Sequence, residues 1–245
     1  MRGQEVGERD QGYGTTAVPH PERSHTVRLV LRLLAVALCA LLVGLGIWQL
    51  ERRAWKLDLI ERIDARVHAQ PVAAPGPQAW KTMSATADEY RRVRAGGTFL
   101  NDRETLVKAV TERGAGFWVI TPLKTDQGFT LLVNRGFVPA EEARAARRTA
   151  DPSVVVGLVR MSEPKGGFLR ANDPDTDRWY SRDVAAIAAK RGLSDTAPYF
   201  IDAEASSGAG PLGGLTIIDF PNNHLIYALT WFGLAIMVTA GLVFI

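Results

Sequence analysis

The chain has 245 residues, enough for one domain of ordinary size together with membrane anchors, and it contains no evident internal repeat. Its formal net charge is only +3, with basic and acidic side chains interspersed, so the composition gives no support for a nucleic-acid-binding protein. The single cysteine, Cys39, lies within an apolar run, which excludes disulfide bonds and cysteine-based catalysis in the polar part of the chain.

The first predicted elements are a polar tail and a membrane-spanning helix. Residues 1–27 lack a hydrophobic period that could offset the entropy cost of ordering, so we expect a disordered tail. Residues 29–50 include an uncharged apolar run close to the roughly 20 residues that cross a bilayer. No small-x-small cleavage site follows this run, which favours an anchor over a cleaved signal peptide.

After this span the chain is predicted to continue as a helix and then to break. Basic side chains recur at helical spacing after Gln49, which predicts a juxtamembrane helix over residues 51–67 with one basic face. Residues 68–79 are rich in proline and alanine and contain a glycine, so they are predicted to be a linker.

Residues 80–205 have the pattern of a β-rich domain. Segments rich in valine, isoleucine, threonine and aromatic residues predict strands at residues 89–99, 116–124, 129–138, 153–161 and 198–203. The turn at residues 125–128 predicts an antiparallel hairpin. Two helices are also predicted, one at residues 139–148 and one at residues 181–192, the latter with Ser181 as N-cap and Gly192 as terminator.

The C-terminal part contains a linker with a last strand, residues 206–223, and a second apolar segment, residues 224–245. Two spans return the chain to the side where it began and leave the β domain on the other side. The predicted fold class is therefore an α+β membrane protein. Two transmembrane helices flank a mostly antiparallel β domain, a barrel or curled sheet with one or two helices.

Catalytic and metal-binding patterns in the β domain are weak. Residues 172–177 alternate carboxylates, but Arg178 and Val184 stand where a calcium loop needs glycine and glutamate. All four histidines lie outside the predicted β domain, which argues against serine-histidine or zinc hydrolysis there. We therefore expect a protein that is not an enzyme, with a hydrolase that uses only carboxylates as an alternative.

One predicted strand ends in Asn134, Arg135 and Gly136. Gly136 is expected to permit a backbone turn or bulge that a side chain would obstruct, and Arg135 is expected to pair with a nearby carboxylate. A structural role and a contact with a protein partner are both compatible with Arg135 and Gly136.

The second apolar segment begins with an ionisable residue, His224. At about 100° per residue, Tyr227 and Trp231 share its helix face, and seven residues descend roughly 10 Å, about the breadth of a flat macrocycle. The two spans end at the same depth, so Arg52 and Arg53 can approach this face. A metal-ligating nitrogen, aromatic rings and guanidinium groups describe a haem site with His224 on the iron. A solvated helix cap is the alternative interpretation of His224.

Three stretches carry a resemblance to a known family: GIWQLERRAWK, LLVNRGFVP and NNHLIYALTWFGLA, in this order. They resemble the surfeit-locus family of cytochrome c oxidase assembly proteins over residues 33–245. The resemblance implies an assembly factor that binds haem a and assists its insertion into oxidase subunit I, with haem a synthase and membrane lipid as further candidate partners. It assigns the haem-associated histidine to His224 and the tryptophan one heptad later to Trp231.

The resemblance also implies a location in the bacterial cytoplasmic membrane, with both termini cytoplasmic and the central domain periplasmic. Counting basic residues near the first span favours the opposite orientation, but that rule weakens for long translocated segments. Arg52 and Arg53 then remain available for haem propionates or lipid phosphates. A membrane-anchored scaffold that binds the oxidase subunit without holding haem is the alternative function.

Overall fold

A computed structural model of the protein describes residues 25–142, 152–164, 166–167, 170–205, 210–216 and 220–243. The chain divides into two compact units, one containing Met1–Ala54 and Asn222–Ile245 and the other containing Trp55–Pro221. Most of the predicted tail lies outside the described residues. Its last three residues, 25–27, are already helical, because the apolar sequence that favours a helix begins at Val27.

The elements follow one another along the chain with short connections. The helices are α1 (His25–His68), α2 (Ala85–Asp88), α3 (Val184–Arg191) and α4 (His224–Leu242). The strands are β1 (Val72–Ala73), β2 (Arg92–Phe99), β3 (Thr105–Thr111), β4 (Gly114–Thr125), β5 (Thr130–Pro139), β6 (Pro152–Met161) and β7 (Thr196–Ala203).

Both α1 and α4 are long and apolar enough to cross a membrane. Helix α1 is continuous from the apolar run through the basic stretch, because no proline interrupts it before Pro71, and it ends at His68.

The central unit contains a mixed seven-stranded sheet with the order β1-β2-β6-β7-β5-β4-β3. Strand β2 also pairs with β4, so β2, β6, β7, β5 and β4 form a closed barrel. A side chain at Gly97 would lie 2.2 Å from the Lys124 carbonyl oxygen, so glycine is required where the barrel closes. Five of the seven pairings are antiparallel, and β1–β2 and β5–β7 are parallel.

The barrel is filled by side chains that alternate inward along its strands. Val93, Leu131, Val133, Tyr199 and Ile201 are each fully buried there. The Tyr199 hydroxyl donates a hydrogen bond to the Pro75 carbonyl oxygen at 2.9 Å, which ties the proline-containing linker to the barrel.

Several predicted details differ from the observed elements. Strand β3 was not predicted, and it forms a hairpin with the first half of β4. Helix α3 is capped by the side chain of Asp183, which accepts from the Ala186 amide, whereas Ser181 donates to the Glu163 carbonyl oxygen. Gly192 does end α3, in the left-handed conformation with φ 62°.

Two predicted elements fall partly outside the described residues. Of the helix predicted at residues 139–148, only residues 140–142 are described beyond β5, and they form a turn. Within residues 206–223, the described part contains an isolated bridge between Leu212 and Phe137 and no named strand.

Candidate functional site

Helix α1 presents a stripe of less exposed residues at alternating spacings of three and four. The stripe contains Ala35, Cys39, Leu42, Gly46 and Gln49. This spacing is the seam of two packed helices, because seven residues complete about two turns.

Helix α4 carries the matching stripe, which begins with its first residue. Here the less exposed residues are His224, Ala228, Trp231, Ala235 and Val238. Ala228 is fully buried and Ala235 is 5% exposed, although both lie in a helix whose other side chains are mostly exposed. The two stripes therefore form the seam between α1 and α4.

Small residues bring the two helices into close contact along this seam. A side chain at Gly46 would lie 2.4 Å from the Phe232 ring, so the ring packs directly against the α1 backbone. Farther from His224, the Cys39 Sγ lies 3.4 Å from the Thr239 Oγ1. Such close approach is typical of helix pairs in membranes, where packing and polar contacts replace the hydrophobic effect.

His224 and Gln49 meet at one end of the seam. The imidazole Nδ1 lies 2.7 Å from the Gln49 Oε1, and the hydrogen bond is partly buried. The residues are 175 positions apart in the sequence, so only the packing of α4 on α1 brings them together. Sequence analysis named Gln49 only as a helix residue. Its place on the α1 stripe, three residues after Gly46, is the signal that could have identified it.

The other predicted haem residues lie around this pair. Trp231 is half-buried, two turns beyond His224 on the same stripe. Tyr227 is 55% exposed and lies outside the seam. Arg53 is half-buried one turn beyond Gln49, whereas Arg52 is exposed on the adjacent face of α1.

Two polar atoms near the start of α4 are buried without a hydrogen-bond partner among the described residues. They are the Trp231 Nε1 and the Asn222 Oδ1. A buried polar atom without a partner costs about 1–3 kcal/mol, and such atoms are often satisfied by a ligand or water. The Trp231 indole N–H is therefore a donor that can receive an oxygen atom of a bound molecule.

An apolar groove of about 560 Å³ continues between the helices beyond Phe232. Its walls come from both helices: Cys39, Val43, Phe232, Ala235, Ile236, Thr239, Ala240 and Val243. The helix pair thus presents polar groups at the His224 end and an apolar surface at the other.

The barrel contains a second cluster of charged residues, centred on Asp202. Its carboxylate is 5% exposed and accepts hydrogen bonds from Arg160 and Arg182, each at 3.1 Å, and from Asn134 at 2.8 Å. Arg182 also donates to Glu163 at 3.0 Å. The charges are paired with one another, which is the usual requirement for burying them, so a structural role accounts for the cluster.

Glu163 is the titratable member of this cluster whose ionisation is clearly perturbed. Burial raises the pKa of its carboxyl group, but hydrogen bonds and charge interactions with Arg182, together with the charge of Arg160, outweigh that effect. The net result is a pKa below the ordinary value of a glutamate.

Arg135 and Gly136 lie next to each other at the far part of β5. The Arg135 guanidinium lies 4.5 Å from the Phe99 ring centroid and donates to Asn101 at 3.1 Å. Gly136 has φ 128°, and a side chain there would lie 2.3 Å from the Leu212 carbonyl oxygen. Gly136 thus admits the segment around Leu212, as a backbone irregularity requires.

No cluster of three or more histidine, cysteine or acidic side chains among the described residues could hold a metal ion. His224 is therefore a candidate only for a metal that brings most of its own ligands, as a haem iron does.

Comparison with known proteins gives a consistent result. Residues 36–236 match the model of the SURF1 family. Surfeit locus protein 1 of Rattus norvegicus is 38% identical over 214 residues, covering 78% of this chain and 67% of that protein. Surfeit locus protein 1 of Homo sapiens is 38% identical over 216 residues, covering 78% and 69%. A SURF1-like protein of Monosiga brevicollis is 37% identical over 221 residues, covering 82% of each chain.

Proposed function

Because this chain belongs to the SURF1 family, we propose that it is a cytochrome c oxidase assembly factor that binds haem a and assists its insertion into oxidase subunit I. In this proposal the protein holds and presents the cofactor and is not an enzyme. Haem a synthase and membrane lipid are its further candidate partners.

The observation that carries the proposal is the arrangement of His224 on the seam of the helix pair. One imidazole nitrogen is bonded to Gln49 at 2.7 Å, and the other is left for an iron atom. The indole N–H of Trp231, which is buried without a partner, lies on the same stripe. These residues fit a haem, which needs one nitrogen ligand, an apolar surface for its ring and donors for its oxygen-bearing substituents.

When bound, the haem iron supplies an open coordination position to the His224 imidazole. A neutral imidazole suits the end of an apolar helix, because a permanently charged ligand would be costlier to remove from water. Trp231 packs beside the ring, and exposed Tyr227 covers its outer edge. Arg52 and Arg53 retain the anionic propionates, for which guanidinium groups are the most suitable partners.

The proposed location follows from the two long apolar helices. We place α1 and α4 across a bacterial cytoplasmic membrane, with both termini in the cytoplasm and the barrel in the periplasm. His224 then lies at the periplasmic surface of the membrane, where a haem can reach it from the lipid phase.

An absorption spectrum of the purified full-length protein from cells that make haem a tests the proposal. The wild type should retain haem, and His224→Ala should lose the haem band or shift it strongly while remaining in the membrane. Trp231→Ala should weaken retention but keep a histidine-ligated spectrum. The double variant Arg52→Gln, Arg53→Gln should weaken retention about tenfold or more, because a charge-assisted contact contributes roughly 1.5–3 kcal/mol.

Matched variants separate these effects from a general loss of folding. Tyr13→Ala lies in the N-terminal tail, away from the helix pair, and should leave the spectrum unchanged. A full haem complement with an unaltered spectrum in His224→Ala would contradict the ligand assignment. A wild type that stays colourless in cells with ample haem a would favour the scaffold that binds the oxidase subunit alone.

A further inference from the structure

We propose that Gln49 is the positioning residue for His224: its side-chain carbonyl holds the proton on Nδ1 and leaves Nε2 free to bind a metal. The identity of that metal as haem iron rests on the proposed function. The claim about the proton on the imidazole concerns the protein alone and can be measured without haem.

The geometry of the contact determines which nitrogen carries the proton. The Gln49 Oε1 lies 2.7 Å from the His224 Nδ1, and a carbonyl oxygen can only accept a hydrogen bond. Nδ1 therefore donates, and a neutral imidazole has only one N–H. Nε2 consequently keeps its lone pair, which is the form that a metal requires.

The packing of the helices holds the two side chains at this separation. Gln49 lies three residues beyond Gly46 on the α1 stripe, and Gly46 admits the Phe232 ring against the helix backbone. His224 and Phe232 belong to the same helix, so the contact at Gly46 fixes the distance that the hydrogen bond must span. The imidazole ring is thus oriented before any metal is bound.

An amide also suits this position better than the alternatives. Metal-bound histidines in proteins nearly always donate their second N–H to an oxygen acceptor, which fixes the ring and raises the basicity of the ligating nitrogen. A carboxylate would perform the same task with a charge, which is costly beside an apolar helix pair. Glutamine supplies the acceptor without that charge.

The first test measures the proton position by ¹⁵N NMR of histidine-labelled full-length protein in lipid nanodiscs, prepared without haem at pH 8.5. The His224→Ala variant identifies the His224 signals. We expect Nδ1 to be protonated in the wild type and in Gln49→Glu, which keeps an acceptor at the same place. In Gln49→Leu, which has similar size and no acceptor, the proton should move towards Nε2.

The second test uses the haem-loaded protein and the same variants. Gln49→Leu should retain haem about 10–100-fold more weakly, as is typical when the partner of a ligating histidine is lost. Gln49→Glu should retain haem and lower its reduction potential, because a carboxylate accepts the Nδ1 proton more strongly. Leu50→Ala changes the exposed neighbour of Gln49 and should alter neither measurement.

The outcomes separate this inference from the proposed function. Protonation of Nε2 in the wild type would overturn the inference, since the amide would then present its NH₂ group to Nδ1. An unchanged proton position and unchanged haem retention in Gln49→Leu would overturn it as well. Failure of the wild type to retain haem would overturn the proposed function, and the proton position would still decide the role of Gln49.

Discussion

At the scale of single residues, Glu163 couples the stability of the barrel to pH. Its pKa in the folded protein is lower than in the unfolded chain, where it is close to 4.5. A carboxyl group with a lowered pKa contributes stability above the unfolded value, and the contribution is lost as the pH falls through the folded value. The contacts with Arg182 therefore stabilise the barrel at neutral pH and weaken below about pH 4.5.

We expect Glu163→Gln to lower the free energy of unfolding at pH 7 by about 1–2 kcal/mol, because a partly exposed charged hydrogen bond contributes in that range. The difference from the wild type should shrink as the pH is lowered from 5 to 3, since the wild-type carboxylate becomes protonated. Thermal unfolding of the detergent-solubilised protein over this range measures both effects. Glu112→Gln, an exposed residue in the β3–β4 turn, is the control and should change neither. A difference that stays constant with pH would contradict this role of Glu163.

The residues of the two clusters differ in how visible they are in the sequence. His224 could be identified because an ionisable side chain stands out at the edge of an apolar run. Asp202 could not, because its partners Arg182, Arg160 and Asn134 lie 20, 42 and 68 positions away. They meet only when the strands pair in the observed register, and no local spacing predicts such a register.

At the scale of elements, the close packing of α1 against α4 depends on one of two nearby glycines. A side chain at Gly46 would collide with the Phe232 ring, whereas nothing lies within 4 Å of the corresponding position at Gly44. We therefore expect Gly46→Val to separate the helices and Gly44→Val to be tolerated. Forcing extra carbon atoms into a packed contact costs about 1–3 kcal/mol.

A cysteine introduced at Thr239 provides a direct measurement of this packing. The Thr239 hydroxyl lies 3.4 Å from the native Cys39 thiol, so Thr239→Cys should form a disulfide on oxidation with iodine. The yield, measured by protection of the thiols from a maleimide reagent, should fall in the Gly46→Val background. Equal yields in the Gly46→Val and Gly44→Val backgrounds would show that Gly46 does not set the distance.

Most elements were predictable from local pattern, and the exceptions have physical reasons. The two long helices, the hairpin at residues 125–128 and the end of α3 at Gly192 follow from apolar length, turn residues and glycine. Strand β3 was missed because the lysine and alanine within it weaken the usual strand composition. Closure of the barrel through β2 and β4 depends on long-range pairing, which composition does not encode.

At the scale of the whole molecule, the two candidate spans place the central domain on the opposite side from both termini if both cross the membrane. We expect a cysteine at position 113, in the exposed β3–β4 turn, to be reached from the periplasm. A cysteine at position 28, near the start of α1, should be reached only from the cytoplasm.

Labelling of intact cells with a membrane-impermeant maleimide distinguishes the two orientations. In a Cys39→Ser background, Arg113→Cys should be labelled directly, and Arg28→Cys only after the membrane is permeabilised. The reverse pattern would show that the basic residues that follow the first span determine the orientation, as a count of positive charges suggests.

The hydrogen bond between Gln49 and His224 also sets an order of events during synthesis of the protein. Gln49 leaves the ribosome 175 residues before His224, which corresponds to roughly 9–35 s at about 5–20 residues per second. Throughout that interval the barrel sequence is translated while the Gln49 amide has no imidazole to bind. Each newly made molecule therefore acquires its paired histidine only after the residues of the central domain have been translated. A ribosome that stalls within the barrel releases no product with the His224 site.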